Sequence, residues 1–425
     1  MSVEIFLLVL MLATFAGLAM RLKMPVGFSL AITSIVLALA AGHFNLTILE
    51  NLINGMFGYL DVSLVLITAM IFMKVIEKNG LLNALTRDLI LKFGGSPITF
   101  LIVITLLIMF PGAITGSCAA SVLSTGVLLA PVLLQLNMPR HIVGAVITMA
   151  SVYGMIAPPV NIIVMIIGAG MDVPYLGFNT VLFLVTVPLA IITTLYLGYS
   201  YAKKADLKGL IAKLRQEKTE SSLLLYSPLI VMLILMIAPK VFPQSIPDPG
   251  MPPTFLTAII IAIFTGRKLQ VPQAVKQGVS EILPVVSLLI GVGMLIEIMT
   301  LIGLRGFIVV NMLSIPAYLM LVGIVVSMPV FGGISVFGSA SVLGVPFALA
   351  LLGSNQIITI SALSLIAAMG SFMPPVALTP TITAQIIGEP NYGKVIRPCF
   401  VPILFALVVG VLMLVFADPI AKIIF

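Results

Sequence analysis

Glycine, serine, threonine and proline residues interrupt two long apolar stretches, one in each half of the chain. The stretches cover residues 110–168 and 331–388, and each contains a Pro-Pro pair, at 158–159 and at 374–375. Glycine lets the backbone approach a ligand closely, and proline leaves the carbonyl four residues earlier in a helix without its partner. Freed carbonyls and hydroxyl groups are oxygen ligands, which suit a hard cation such as Na⁺. Helix N-termini at the same places suit a substrate carboxylate.

Broken segments of this kind indicate a binding site when they lie in a membrane. Irregular backbone at membrane depth is tolerated only where it is buried in protein or lines a cavity. Interrupted segments at corresponding places in two halves indicate the binding site of a secondary transporter. Small residues have a second explanation, because they also let membrane helices pack closely. We favour packing for an isolated glycine or serine, and a binding site for the paired Pro-Pro motifs.

The composition requires a membrane protein. Hydrophobic residues make up 61% of the 425 positions, charged residues make up 8%, and the mean hydropathy is +1.27, whereas a soluble domain has roughly 25% charged residues. Apolar runs predict an all-α polytopic membrane protein with about ten to twelve membrane segments. The net charge of +7 comes from basic residues in loops between apolar runs, which is typical of cytoplasmic loops and not of a face that binds nucleic acid.

The two halves are predicted to be inverted repeats, because each half crosses the membrane an odd number of times. Each repeat should contain a re-entrant helical hairpin and a Pro-broken helix, as in elevator-type carriers. The predicted boundaries are 1–201 for the first repeat (hairpin 111–130, broken helix 151–168), 202–222 for a cytoplasmic connector, and 223–425 for the second repeat (hairpin 332–350, broken helix 370–387).

Charged side chains inside the apolar segments are scarce, so each one is a candidate for function. Glu297 lies within an apolar run and is a candidate for binding a coupling cation, relaying a proton, or pairing with Arg305. A position near a helix end at the membrane interface explains it equally well. For Asp61 we favour a role at a helix N-terminus, and we expect His141 to be solvated.

No sequence feature indicates an enzyme or an ATPase. The chain has two histidines and two cysteines, with no metal-ligand spacing and no arrangement of nucleophile and base. The phosphate-binding pattern GxxxxGK[ST] is absent from the sequence. Energy for transport is therefore expected to come from an ion gradient or from a partner protein, and no cofactor is expected beyond the coupling ion.

The motifs resemble those of the large membrane subunit of tripartite ATP-independent periplasmic (TRAP) transporters, which belong to the ion transporter superfamily. Residues 115–121 resemble the family's small-residue hairpin motif, with serine at the last position, where an acidic residue is usual. Residues 156–159 match the motif Ile-x-Pro-Pro, and residues 373–379 resemble Thr-Pro-Pro-Val-Gly-Leu-Asn with three substitutions. The resemblance covers nearly the whole chain.

The resemblance implies a Na⁺-driven elevator carrier of the bacterial inner membrane, with static scaffold spans at 4–43, 178–201 and 223–266. Its substrates would be C4-dicarboxylates or sialic acid, delivered by a periplasmic substrate-binding protein, and a small four-helix membrane subunit would support the scaffold. The implied cation-binding residues are Gly112, Thr115, Ser117, Pro158, Gly332, Gly333, Ser335 and Pro374. The implied substrate-binding residues are Ser121, Asn161, Ser339, Ser341, Thr379 and Thr381.

Two alternatives stay open at this point. The departures at Ser121, Ala377 and Thr379 leave room for a stand-alone organic-anion permease of the same superfamily, coupled to H⁺ through Glu297. The other alternative is a membrane scaffold or channel subunit that does not transport by itself.

Overall fold

The computed structural model describes residues 3–42, 46–216, 223–265, 270–374 and 376–425. Across these ranges the chain is helical and contains no β-strand, as expected where every backbone polar group must find its partner within its own segment. The end of the predicted connector, 217–222, and Pro375 of the second Pro-Pro pair lie outside the described residues.

Twenty-three α-helices follow one another along the described chain. In the first half they are α1 (Val3–Ala16), α2 (Val26–Ala40), α3 (Leu46–Phe57), α4 (Leu60–Lys78), α5 (Leu81–Phe93), α6 (Pro97–Thr115), α7 (Cys118–Ser121), α8 (Val127–Leu134), α9 (Arg140–Met155), α10 (Ile162–Ala169), α11 (Phe178–Ala202) and α12 (Leu207–Gln216). In the second half they are α13 (Leu223–Val241), α14 (Met251–Phe264), α15 (Val271–Leu301), α16 (Leu304–Leu313), α17 (Ala317–Gly332), α18 (Val336–Ser339), α19 (Val345–Ala350), α20 (Gln356–Ala368), α21 (Leu378–Ile387), α22 (Tyr392–Val415) and α23 (Ala417–Ile424).

Many of these helices have the length and composition of membrane helices. Seven of the described helical segments are long and apolar enough to cross a bilayer, and seven shorter apolar segments of 10–17 residues accompany them. The predicted number of membrane segments, ten to twelve, lies between the seven long segments alone and the fourteen long and short segments together. The chain is therefore an all-α polytopic membrane protein, as the sequence predicted.

One group of helices is built around α15, which packs along α2, α3 and α4, while α14 packs on α4 and α13. Glycines allow the closest crossings in this group. A Cβ added to Gly55 of α3 would lie 2.6 Å from the carbonyl oxygen of Gly293 in α15, and one added to Gly27 of α2 would clash with the carbonyl oxygen of Ser287 in α15. Only glycine permits backbones to approach so closely, which is a common device in membrane helix packing.

A second group contains both interrupted stretches. In the first half α6 packs on α9, in the second half α20 packs on α17 and α22, and α21 packs on α9. Helix α11 packs on α6 and α9, so the structure groups residues 178–201 with the interrupted helices. We had expected these residues to pack with the predicted scaffold spans instead. Hydropathy could not predict this packing, because a helix that faces lipid and a helix that faces other helices are equally apolar.

The same order of elements occurs in both halves of the chain. A long helix (α4 or α15) ends at a glycine with positive φ, Gly80 or Gly303, and a shorter helix follows. Next come a helical hairpin, formed by α6–α8 or by α17–α19, and an interrupted pair, α9–α10 or α20–α21. The hairpin arms and first broken helices extend beyond the predicted boundaries because their apolar sequence continues into adjoining helix. Inversion of the two halves stays a prediction.

Candidate functional site

The first hairpin turns at Gly116 and Ser117. Helix α6 ends at Thr115, and Gly116 then adopts φ +65°, a conformation that glycine takes at little cost. The half-buried Ser117 caps α7, because its hydroxyl oxygen accepts a hydrogen bond from the backbone N–H of Ala120 at 3.3 Å. The buried Thr115 hydroxyl donates to the carbonyl oxygen of Pro111 at 2.7 Å. The hairpin tip therefore holds the hydroxyl groups of Thr115 and Ser117 in fixed positions close to each other in the chain.

The second hairpin has a similar tip. Ser335 caps α18 and accepts a hydrogen bond from the backbone N–H of Gly338 at 3.0 Å. A turn of π-helix follows each short capped helix, at Val122–Gly126 and at Ala340–Gly344. When the two hairpins are aligned on these turns, Ser117 corresponds to Ser335 and Ser121 corresponds to Ser339. The repeated sequence Ser-Val-Leu at 121–123 and 341–343 had indicated an alignment of the two halves that differs by two residues.

In the first half, the hairpin meets the broken helix at a crossing of two glycines. A Cβ on Gly154 of α9 would lie 2.6 Å from the carbonyl oxygen of Met109 in α6. A Cβ on Gly112 would lie 2.5 Å from the Ser121 hydroxyl oxygen and 2.9 Å from the carbonyl carbon of Gly154. One hydrogen bond also joins the two segments, from the backbone N–H of Val160 to the carbonyl oxygen of Ala113 at 3.0 Å.

The second half repeats this junction. A Cβ on Gly370 would lie 2.6 Å from the Cα of Gly332, and one on Gly333 would lie 2.5 Å from the carbonyl oxygen of Pro374. The backbone N–H of Val376 donates to the carbonyl oxygen of Gly333 at 3.4 Å. In each half, therefore, a backbone N–H after the break donates a hydrogen bond to a hairpin carbonyl oxygen. In each half, glycines also allow the backbones of the hairpin and the interrupted segment to come into close contact.

Asn161 organises the first break and reaches the second half. Its side-chain oxygen caps α10 by accepting from the backbone N–H of Val164 at 3.0 Å. Its side-chain nitrogen donates to the carbonyl oxygen of Ile156 at 2.9 Å and to the hydroxyl of Ser364 at 2.8 Å. Since Asn161 is fully buried, these bonds satisfy its amide and join α10 to α20.

The corresponding cap position of the second break is Ala377. This residue has φ +39° and gives α21 no side-chain cap. A glycine, usual in the resembling motif, would adopt this left-handed conformation with less strain. The hydroxyl of Thr381 donates to the Ala377 carbonyl oxygen at 2.9 Å. Thr379, where asparagine is usual, reaches the first hairpin instead, and its hydroxyl donates to the sulfur of Cys118 at 3.0 Å.

Several buried hydroxyl groups near the junctions have no partner in the described part of the chain. Those of Ser121 and Ser341 lie in the two hairpins, and those of Ser151 and Thr359 lie in the first helices of the interrupted pairs. Ser339 differs from its counterpart Ser121, because its hydroxyl donates to the carbonyl oxygen of Met328 at 2.8 Å. Unpaired buried hydroxyl oxygens are donors or acceptors still available to an ion or a ligand.

The predicted site residues thus fall at two junctions, one in each half. At the first lie Gly112, Thr115, Ser117, Ser121, Pro158 and Asn161, and at the second lie Gly332, Gly333, Ser335, Ser339, Ser341, Pro374, Thr379 and Thr381. Their groups are carbonyl, hydroxyl and amide oxygens, which suit Na⁺. Among the described residues, no group of three His, Cys, Asp or Glu side chains could hold a metal ion.

Glu297 is half-buried on α15 and forms no ion pair with any described residue. Arg305, a candidate partner for Glu297, donates instead to the carbonyl oxygen of Gly170, just after α10. Asp61 lies in the first turn of α4, as expected. In the loop before α22, the hydrogen bond from Lys394 holds the pKa of Glu389 below its usual value.

Sequence reasoning missed one residue that contacts the site helices from outside. Tyr59, between α3 and α4, is buried, and its hydroxyl donates to the carbonyl oxygen of Ile166 in α10 at 3.0 Å. Together with Arg305, it provides hydrogen bonds to the C-terminal end of the short helix that Asn161 begins. Only a contact between residues 107 positions apart reveals this role, and a lone tyrosine between apolar segments gave no signal.

A cavity of about 620 Å³ lies where α4, α10, α13 and α14 approach one another. Val164 and Met165 of α10 form part of its wall, and the charged residues Asp61, Asp172 and Lys240 also line it. The cavity therefore lies between the first group of helices and a site helix of the second group.

The fold and these junctions define a class: a polytopic helical membrane protein with paired hairpins and interrupted helices. Residues 6–420 match the family described as the tripartite ATP-independent periplasmic transporter, DctM component. The chain therefore belongs to this family, which confirms the resemblance seen in the motifs. A search among curated proteins finds no match.

Two solved structures share the fold. One is the YdaH transporter of Alcanivorax borkumensis, with a TM-score of 0.62 and 15% identity over 98% of each chain. The other is MtrF of Neisseria gonorrhoeae, described as illuminating a class of antimetabolite efflux pumps, with a TM-score of 0.60, 13% identity and coverage of 98% of this chain and 95% of that one. At this level of identity the likeness concerns the fold alone.

Proposed function

We propose that the protein is the large membrane component of a Na⁺-coupled importer for a carboxylated small molecule of the C4-dicarboxylate or sialic-acid type. The observation that carries the proposal is the repeated junction of a serine-capped hairpin with an interrupted helix. Each junction presents oxygen ligands without a fixed negative charge, which suits a monovalent cation whose binding must be reversible.

Na⁺ is proposed to bind once at each junction. In the first half its ligands would be backbone and hydroxyl oxygens around Gly112, Thr115, Ser117 and Pro158, and in the second half those around Gly332, Gly333, Ser335 and Pro374. The substrate would bind beside them, in reach of Ser121, Asn161, Ser339, Ser341, Thr379 and Thr381. Unpartnered hydroxyls at Ser121 and Ser341 support this assignment, because an ion or a carboxylate would satisfy them.

Transport is proposed to follow an elevator movement of two inverted repeats. The group of helices that contains the hairpins would move as the transport domain, and the group around α15 would form the scaffold. The separation of the described helices into these two packing groups supports the proposal. A periplasmic substrate-binding protein and a small four-helix subunit would complete the system in the bacterial inner membrane.

Uptake into proteoliposomes tests this function. Labelled succinate and N-acetylneuraminate would be offered with and without an inward Na⁺ gradient, and with and without a binding protein and small subunit from a cognate system. Uptake that needs Na⁺ and both partners is the expected result. Na⁺-independent uptake would refute the coupling, and absence of any saturable uptake would favour a non-transporting subunit.

A stand-alone permease coupled to H⁺ is a second candidate, favoured by one observation. Glu297 is half-buried within a long helix and has no ionic partner among the described residues, as expected of a proton carrier. Glu297→Gln should then abolish uphill uptake driven by a pH gradient while leaving exchange intact. Unchanged uphill uptake would exclude this candidate.

A further inference from the structure

Tyr59 connects the group of helices around α15 to helix α10 of the second group. Its side chain is buried against α15, since a Cβ added to Gly293 would lie 3.2 Å from a carbon of the Tyr59 ring. Its hydroxyl donates to the carbonyl oxygen of Ile166 at 3.0 Å. Ile166 lies in α10, which packs on α18, α19 and α20 of the second group. The hydrogen bond therefore crosses from one packing group to the other.

Arg305 donates a second hydrogen bond to the same end of α10. It lies in the first turn of α16, just after Gly303, the glycine with φ +72° that separates α15 from α16. Its guanidinium donates to the carbonyl oxygen of Gly170, the residue that follows α10. A cation at the C-terminal end of a helix also interacts favourably with the helix dipole. The last turn of α10 is therefore held by one neutral and one charged donor.

The packing beside these two bonds is incomplete. The cavity of about 620 Å³ separates α4, α13 and α14 from the side chains of Val164 and Met165 on α10. Across a cavity of this size the two walls make no van der Waals contact with each other. The two hydrogen bonds therefore contribute a large share of the attraction between the two groups at this place.

An elevator movement would break both bonds. If α10 moves along α4 and α15, the carbonyl groups of Ile166 and Gly170 leave their donors, and a hydrogen bond is lost once donor and acceptor are more than about 3.5 Å apart. Bonds that exist in only one of two states stabilise that state and so set the ratio of the two populations.

We propose that Tyr59 and Arg305 form a latch, meaning the pair of hydrogen bonds that holds α10 in its present position, and that the latch opens in every transport cycle. This inference rests on the elevator movement of the proposed function, and it names the residues that regulate that movement. Removing the Tyr59 hydroxyl should shift the ratio of the two states about fivefold toward the unlatched state. Removing the Arg305 guanidinium should shift it about tenfold or more, because a hydrogen bond from a charged donor is stronger.

The distance between two nitroxide labels reports the position of the moving group. The labels would be attached to cysteines introduced at Gln277 in α15 and at Leu352 after α19. Both positions are exposed, whereas Cys118 and Cys399 are buried, so the introduced thiols react selectively. The purified full chain would be placed in lipid nanodiscs and measured by double electron–electron resonance in choline chloride, in NaCl, and in NaCl with succinate.

The latch variants are Tyr59→Phe, Arg305→Gln and Arg305→Lys. The last of these keeps a charged donor without the planar guanidinium, so its effect should be smaller than that of Arg305→Gln. Unfolding temperatures show whether each variant is folded, and Tyr59→Phe changes the side chain least.

Two control variants remove similar bonds that lie within the second group. Arg140→Gln removes a guanidinium that donates to the carbonyl oxygen of Gly388 at 3.0 Å, between α9 and the end of α21. Tyr153→Phe removes a buried hydroxyl that lies 3.5 Å from the hydroxyl of Thr193, between α9 and α11. Each control loses a hydrogen bond but keeps both bonds between the groups.

We expect a second distance to gain population about fivefold in Tyr59→Phe and about tenfold or more in Arg305→Gln, relative to the distance that the structure predicts. The controls should leave the ratio within about twofold of the wild type. A second distance that the latch variants do not enrich, or that the controls enrich equally, would refute the latch and leave the elevator movement in place. A single distance in every sample would overturn both the latch and the elevator movement, while uptake into proteoliposomes tests Na⁺ coupling independently.

Discussion

Replacing Gly154 by alanine should separate the first hairpin from the broken helix. The new Cβ would lie 2.6 Å from the carbonyl oxygen and 2.8 Å from the Cα of Met109. Both are backbone atoms, so no side-chain rotation relieves the clash. An ordinary contact begins near 3.4 Å, so the two backbones must move apart by about 0.8 Å. The hydrogen bond from Val160 to Ala113, now 3.0 Å long, would stretch beyond the usual range.

The expected cost can be worked out from these contacts. Overpacking of this kind costs about 1–3 kcal/mol, and the gain in helix propensity from glycine to alanine offsets about 0.5–1 kcal/mol. The net loss, about 0–2.5 kcal/mol, corresponds to a fall of at most about 3 °C in unfolding temperature for a chain of this length. The larger effect should be on Na⁺, because ion ligands tolerate displacements of only about 0.2 Å. One lost ligand would raise the Kd for Na⁺ by about tenfold.

The assay is thermal unfolding of purified protein, followed by a thiol-reactive dye over a NaCl titration at constant ionic strength. Gly323→Ala is the matched control, because Gly323 lies in α17 and has no atom within 4 Å of its potential Cβ. Gly323→Ala should be neutral or slightly stabilising. If Gly154→Ala keeps the wild-type Na⁺ dependence and melts like Gly323→Ala, the close crossing does not hold the junction together and the reasoning is wrong.

Three further substitutions test single hydrogen bonds. Tyr59→Phe removes the donor to Ile166 and should cost about 1 kcal/mol, seen as faster amide exchange in α10. Asn161→Ala removes the α10 cap and the bond to Ser364, should cost about 2–3 kcal/mol, and should abolish Na⁺-dependent uptake. Ser335→Ala removes the cap of α18, should cost about 1 kcal/mol, and should speed amide exchange at the second hairpin tip.

Each substitution has a control that makes the same chemical change outside the junctions. Tyr318→Phe alters a tyrosine that is 67% exposed. Asn51→Ala removes an amide whose bond stays within its own helix, to the carbonyl of Thr47. Ser314→Ala removes a hydroxyl that bonds only to the carbonyl of Asn311. A site variant that behaves like its control would contradict the role given to its hydrogen bond.

The local elements followed from the sequence because their causes are local. Glycine at position 116 and serine at 117 make a turn and a cap through their own backbone preference and hydroxyl group, and the same holds for Ser335. The Ile-x-Pro-Pro segment cannot continue a helix, so the break before Asn161 was predictable. Apolar composition over most of the chain required membrane helices. The family followed from these motifs.

Tertiary structure alone decided which of these elements meet. Asn161 and Ser364 are 203 positions apart, and Thr379 and Cys118 are 261 apart, so no local pattern pairs them. Hydropathy cannot tell a helix that faces lipid from one that faces protein, because both are apolar, so no signal in the sequence predicted that α11 packs on α6 and α9.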